Sequence, residues 1–308
     1  GYNQYEDVQP FQGMNATLSI GSAVQTIPQL MFSKCTGLTG TLTIPTSVTT
    51  IEYGAFYECS GFTGSLNIPN SVTSIGGNAF YSCTGFDGTL TLPIFLTTIE
   101  NSAFRNCSGF TGSLTIPDRV TSIGANAFLG CEGFTGYLHI GNSVSSIGAY
   151  AFNYCIGFTG SLTIPESVTE IGAAAFQSCM GFTGNLNIYG PLTSIEHHTF
   201  NYCWSLTGTL TLPNTVTEIG ELAFNYCNQL TAIKALPETP PTLGANAFQH
   251  VPTGIPVYVP CGSLSNYQSA SGWSSFTNMQ CSPWSVTLSA NPWEGGTVSG
   301  EGTYANGA

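Results

Sequence analysis

Nine cysteines stand 24 residues apart, at Cys35, Cys59, Cys83, Cys107, Cys131, Cys155, Cys179, Cys203 and Cys227. A fixed period of this length constrains the architecture before any local pattern is read, because each repeat must be one structural unit. Three residues before each cysteine is a phenylalanine, from Phe32 to Phe224, and a tenth, Phe248, follows where the cysteines have stopped. Five residues before each phenylalanine is an isoleucine, from Ile27 to Ile219, with Leu243 closing the series. Counted from Met14, ten units run to about residue 253.

The unit from 110 to 133, FTGSLTIPDRVTSIGANAFLGCEG, shows what one period contains. Leu114 and Ile116 lie two apart, with Ser113 and Thr115 on the opposite face, which is the alternation of a strand with one side buried. Pro117 ends that strand, since it has no N–H to give to a ladder. Val120 to Ile123 reads as a second short extended piece. The stretch from there to Cys131 has room for only one or two helical turns. Eight positions point inward: Phe110, Leu114, Ile116, Val120, Ile123, Ala127, Phe128 and Cys131. They are too few to make a core alone, so the unit must stack on copies of itself. At ~4.8 Å between paired strands, the array is expected to be a solenoid with capped ends and a parallel sheet on the order of 50 Å long.

Only 6% of the 308 residues are charged, where a soluble domain usually carries about a quarter. Stacking accounts for this, because like charges repeated every ~5 Å along a ladder would repel, whereas hydroxyls and amides do not. Four cations against sixteen acids leave a net charge of −12. That balance excludes nucleic acid as a partner, since binding a phosphate backbone relies on neutralising several phosphates with basic side chains. No run of about 20 apolar residues and no basic amphipathic stretch occurs, so this segment is not expected to enter a membrane.

The recurring L-x-I-P-x-S-V-T-x-I-G-x-x-A-F-x-x-C is seen in SLTIPDRVTSIGANAFLGC, TLTIPTSVTTIEYGAFYEC and SLTIPESVTEIGAAAFQSC. It resembles the BspA-like, or Treponema-type, leucine-rich repeat family of bacterial surface proteins. The resemblance covers residues 14–253 and implies a leucine-rich repeat solenoid that is exported to the cell surface or beyond. Each unit departs from the family in an extra Thr-Gly, as in GFTGSL. The unit from 182 to 205 departs further, with Tyr189-Gly190-Pro191 in place of Pro-x-Ser and Glu196-His197-His198 in place of Gly-x-x. Residues 1–13 are expected to cap the front, with Phe11 in the grid place of a cysteine. Residues 254–283 resemble the C-terminal cap of related gut bacterial proteins. Residues 284–308 resemble the opening of a small β-repeat module that the chain enters without completing. No charged and apolar leader opens the sequence, so export implies one already removed before Gly1.

The grid cysteines read as small buried apolar residues rather than ligands, because metal sites use local pairs such as C-x-x-C. Cys261 and Cys281 lie off the grid in the cap and are a candidate disulfide, whose loop of about 20 residues would contribute roughly 3 kcal/mol. His197 and His198 are neighbours on a loop and make a poor metal pair, so neither metal nor cofactor is expected. No nucleophile elbow, zinc-helix or phosphate-loop motif is present. Asp7, Asp87 and Asp118 offer no stacked acid pair for glycoside hydrolysis, so no enzyme activity is expected.

What remains is surface. The residue between the Leu and Ile of each strand reads Thr43, Asn67, Thr91, Thr115, His139, Thr163, Asn187 and Thr211. The residue before the Leu is also Thr, Ser or Asn, except for Tyr137. Tyr137 and His139 thus interrupt a hydroxyl and amide stripe near its centre. Larger side chains follow the phenylalanines at Tyr57, Tyr81, Arg105, Leu129, Tyr154, Tyr202 and Tyr226. Tyrosine offers a flat apolar face and a hydroxyl, which suits contact with proteins or glycans. Tyr137, His139, Asn67, Asn187, Tyr57, Tyr81, Tyr154, Tyr202 and Tyr226 are therefore the candidate binding residues. The expected role is a monomeric, non-catalytic surface protein engaging a host or neighbouring-cell protein, as family adhesins for host matrix do. Glycan binding and a structural spacer are the alternatives.

Overall fold

The computed structural model describes residue 11, residues 13–282 and two strand pieces beyond them, Trp284–Ser285 and Thr303–Tyr304. Most units contribute two short strands that pair in parallel with the corresponding strands of neighbouring units, in runs of three or four along the second ladder and mostly two by two along the first. The first ladder carries the Leu-x-Ile positions. Leu66–Asn67 pairs with Leu90–Thr91, Leu114–Thr115 with Leu138–His139, and Leu162–Ile164 with Leu186–Ile188. The second ladder carries the isoleucine that precedes each phenylalanine, as in Thr98–Ile99, Ser122–Ile123, Ser146–Ile147 and Glu170–Ile171. Partners in these pairs are 24 residues apart, so each side chain sits on its counterpart.

All eight inward positions of the unit from 110 to 133 are at most 1% exposed. Their repetition builds a continuous core in which like stacks on like. Phe80, Phe104, Phe128 and Phe152 lie nearly parallel, with 5.4 Å between successive ring centroids. A second column runs through Phe86, Phe110, Phe134 and Phe158 at 5.0 to 6.1 Å. Burying each such ring contributes about 1.5–3 kcal/mol, and this repeated term holds the array together.

Between the isoleucine and the cysteine the chain makes overlapping β-turns in place of the expected helical turns. Ala127, Leu129 and Cys131 donate their N–H groups three residues back, to Gly124, Asn126 and Phe128. The alternate donors Asn126, Phe128 and Gly130 instead reach the carbonyls of Ala149, Ala151 and Asn153 in the next unit, at 2.8 to 2.9 Å. A helix would turn every N–H along its own axis. Two left-handed residues four apart, Asn126 (φ 57°) and Gly130 (φ 72°), aim alternate ones along the solenoid instead. A close approach is built in as well: a Cβ on Gly109 would overlap the carbonyl oxygen of Phe86, one turn of the solenoid earlier.

The ends close the stack differently. Phe11, placed on the cysteine grid, lies against Phe32 with centroids 5.4 Å apart, so it extends the phenylalanine column rather than the thiol one. At the other end the pairing of Gly208–Leu212 with Leu230–Ala235 slips one residue at Gly208/Thr209. The first ladder then continues into the cap through Val257–Pro260 and Met279–Ser282. A short helix, Leu264–Ser269, and a 3-10 turn, Trp273–Ser275, lay Tyr267, Trp273 and Phe276 over the last unit. Trp273 Nε1–H donates to the Pro241 carbonyl at 2.8 Å and the Tyr267 hydroxyl to that of Pro237 at 2.9 Å, so neither buried polar tip is left unpaired. Cys261 and Cys281 are joined across this cap, with Cα atoms 4.4 Å apart. Most of the module expected at 284–308 lies outside the described residues, as do residues 1–10 and 12 of the expected N-terminal cap. Trp284–Ser285 pairs antiparallel with Thr303–Tyr304.

Candidate binding face

The first ladder places the interruption of the polar stripe on paired backbone. Tyr137 donates its N–H to Ser113 Oγ at 3.0 Å, and its carbonyl accepts the Leu114 N–H at 3.0 Å. His139 sits opposite Thr115 in the ladder, and its carbonyl accepts the Ile116 N–H at 2.9 Å. Both side chains are exposed, Tyr137 by 66%. The Tyr137 ring leans over the next unit, where Gly160 leaves it room: a Cβ there would stand 2.6 Å from Cε1 of the ring.

Two units further on, Tyr189 stands on the grid place of Pro165 and is 61% exposed. Its N–H donates to the Ile164 carbonyl at 3.0 Å. The following Gly190 is buried, and a Cβ there would overlap the Val168 carbonyl oxygen. The Tyr189-Gly190-Pro191 departure therefore re-aims an aromatic side chain while the array continues beneath it. Tyr137 and Tyr189 line the same groove, of about 560 Å³, together with His139, Asn142, Thr163, Glu166, Ser167 and intervening apolar residues. Asn142 is held there by its N–H, which donates to Asp118 Oδ1 at 2.9 Å.

The other sequence candidates divide. Asn187 neighbours the groove, with its amide N–H donating to Thr163 Oγ1 at 3.4 Å. Asn67 is exposed on the same ladder beside Thr91, three units from His139. The tyrosines treated as one set occupy two columns, because some directly follow the phenylalanine and others come second after it. Tyr57 and Tyr81 stack at 4.7 Å, with the Arg105 guanidinium 5.6 Å from the Tyr81 ring. Tyr202, Tyr226 and His250 form the other stack, at 4.6 and 3.8 Å, and Tyr154 stands in that register, 49% exposed. Burial and the neighbouring Glu58 carboxylate push the Tyr57 phenol up to about 12. These stacked rings present mainly edges, whereas Tyr137 and Tyr189 have no stacking partner among the described residues.

Tyr189, Asn142 and Glu166 line this candidate groove but are not among the residues the sequence singles out. The signal in the sequence is the Tyr189-Gly190-Pro191 departure, where Tyr189 replaces the counterpart of Pro165. Another exposed departure, Ile94 and Phe95 beneath Arg119, occupies the corresponding turn four units before Tyr189. Among the described residues no cluster of three or more His, Cys, Asp or Glu side chains is arranged to hold a metal ion. No described helix is long and apolar enough to cross a membrane.

Among solved structures, a leucine-rich repeat protein from Bacteroides ovatus ATCC 8483 shares the fold. It is 24% identical, with 85% of this chain and 76% of that chain aligned at a TM-score of 0.56. Looser likenesses are a leucine rich cell surface protein from Faecalibacterium prausnitzii A2-165 (26% identity, 84% and 70% of the two chains, TM-score 0.42) and the pneumococcal vaccine antigen PcpA (16%, 85% and 66%, TM-score 0.47). No curated protein matches the sequence. The pattern of the BspA type leucine rich repeat region matches in six copies, over residues 11–135 and 135–254. With the register of the ladders and most of the chain covered, the conclusion is that this chain belongs to the BspA-type leucine-rich repeat family.

Proposed function

We propose that this chain is a non-catalytic binding protein displayed on a bacterial cell surface, making adhesion-type contacts with a host or neighbouring cell through its first ladder. The observation that carries this is the convergence of two departures from the repeat, Tyr137-Leu138-His139 and Tyr189-Gly190, on one groove. A unit selected for stacking alone would keep Ser, Thr and Pro at those places. Glu166 is the single carboxylate lining the groove, whereas hydrolysis of a glycosidic bond by the usual route needs two acids flanking it. Family membership supports a binding role, and the continuous stacked core beneath the face supports recognition without reorganisation.

Labelled chain applied to cultured epithelial cells and to bacteria of other species tests the proposal. The wild type should adhere to at least one cell type. The triple variant Y137A/H139A/Y189A should lose about tenfold or more in affinity, since exposed aromatic anchors carry a large share of contact energy. Its thermal midpoint should stay unchanged. Equal adhesion of the two proteins, or adhesion of neither, would sink the proposal.

A further inference from the structure

We infer that the groove between Tyr137 and Tyr189 takes a neutral carbohydrate chain. This rests on the binding role proposed above and narrows it to one class of ligand at one place.

The argument begins with what the groove lacks. Its lining contains no Lys or Arg, and Glu166 contributes a negative charge within a chain of net charge −12. Phosphate, sulfate and sialic acid ligands would meet repulsion with nothing to neutralise them. The backbone is largely engaged as well. The N–H groups of Leu162 and Tyr189 bond to neighbouring units, so an extended peptide would find only those of Leu138 and Ile140 without a backbone partner, too few for a ladder. A helical partner would require a continuous apolar trough, and here the floor is interrupted by His139, Thr163 and Asn142.

What the groove offers matches a sugar. A pyranose presents a face of C–H groups and a rim of hydroxyls, each of which both donates and accepts. The two tyrosine rings supply flat apolar faces, and their residues lie two units apart and four residues apart along the strands, roughly 16 Å between Cα atoms. Between them stand His139, Asn142, Thr163 and Glu166, a mix of donors and acceptors without a cation. Two rings at that separation engage a chain of sugars rather than one. Both are placed by paired backbone, so little ordering cost is charged to binding.

The test is a glycan array carrying neutral hexose and N-acetylhexosamine oligosaccharides alongside sialylated and sulfated ones, probed with the whole chain. Calorimetry follows with the best neutral oligosaccharide. Neutral oligosaccharides should be retained, and Tyr137→Ala and Tyr189→Ala should each weaken binding by about tenfold, with the thermal midpoint held. Glu166→Gln should weaken it several-fold while leaving the preference for neutral ligands. The inference is overturned if no neutral glycan is retained, if sulfated or sialylated ligands bind best, or if neither tyrosine variant changes the affinity. Cell adhesion separates this from the broader role. If groove-dependent adhesion survives periodate treatment of the target cells, the groove takes a protein, and the carbohydrate inference fails while the binding role stands.

Discussion

The thiols show how a single residue type can be fixed by the repeat. From Cys59 to Cys227 each Sγ donates to the carbonyl oxygen of the phenylalanine 27 residues earlier, at 2.8 to 3.2 Å. That oxygen also takes the N–H of its own unit's cysteine, as Phe32 does from Cys35 at 3.1 Å, so both lone pairs are used inside the core. Valine would fill the same space and leave one of them empty. The nine grid thiols are free and buried, which predicts that none reacts with iodoacetamide in the native chain. Under denaturing, non-reducing conditions nine cysteines should be labelled, and eleven only after reduction; eleven without reduction would refute the Cys261–Cys281 bridge. Burial, reinforced by neighbouring thiols, holds Cys83, Cys107, Cys155, Cys179 and Cys227 well above the usual thiol range. The folded state therefore keeps protons that the unfolded state releases near pH 8.5. Stability should be flat below that pH and fall as pH rises above it, each thiol adding a slope of about 1.4 kcal/mol per pH unit. Urea midpoints measured with reductant present should drop steeply between about pH 9 and 10.5, and less steeply in C83A/C107A. A midpoint independent of pH in that window would contradict the burial argument.

At the scale of elements, the sequence made the strands legible and concealed the turns. Leu114 and Ile116, Pro117 and Ile123 announce themselves by period and by the missing proline donor. The left-handed positions carry no such mark. Outside Gly54 and Gly130 they are filled by residues as unlike as Leu30, Lys34, Glu58, Ala174 and Leu222. Such residues give up about 1 kcal/mol each in that region, and here the hydrogen bonds to the next unit hold them in place. Because that compensation comes from another unit, no window of local sequence reveals it. Asn126 (φ 57°) tests the point. Asn126→Gly should be neutral within about 0.5 kcal/mol, whereas Asn126→Val should cost about 1–2 kcal/mol, since a β-branched residue fits the left-handed region worst. Equal stability of the two variants in urea unfolding would show that the turn does not depend on this conformation. The same cross-unit blindness affected the groove. Tyr137 and His139 were visible because they break a stripe within their own unit. Tyr189 joins them only through the two-unit offset between the start of one strand and the end of another.

Over the whole molecule the array is nearly one-dimensional, because each unit touches chiefly its neighbours and stability is transmitted along the stack. Its ends are therefore the places where opening begins, and the C-terminal cap is built against this. Trp273 and Phe276 lie 5.5 and 5.6 Å from the Phe248 ring, and Val257–Pro260 occupies the strand edge left by Leu230–Ala235. The groove lies far from either end, with Tyr137 and Tyr189 between Phe128 and Phe200 of the central phenylalanine column, whose rings are fully buried. Position along the stack thus keeps the proposed binding face away from the ends where opening begins. A chain ended at residue 253 would expose Phe248 and an open parallel edge, two features that promote fraying and association. Hydrogen exchange of that shortened chain should show protection lost first from about 206 to 253, with amides of the Leu114–Thr115 and Leu138–His139 strands still protected. Uniform loss across all units would mean that the array unfolds as one cooperative block. Unchanged exchange near the cut would mean that Tyr267, Trp273 and Phe276 contribute nothing as a cap.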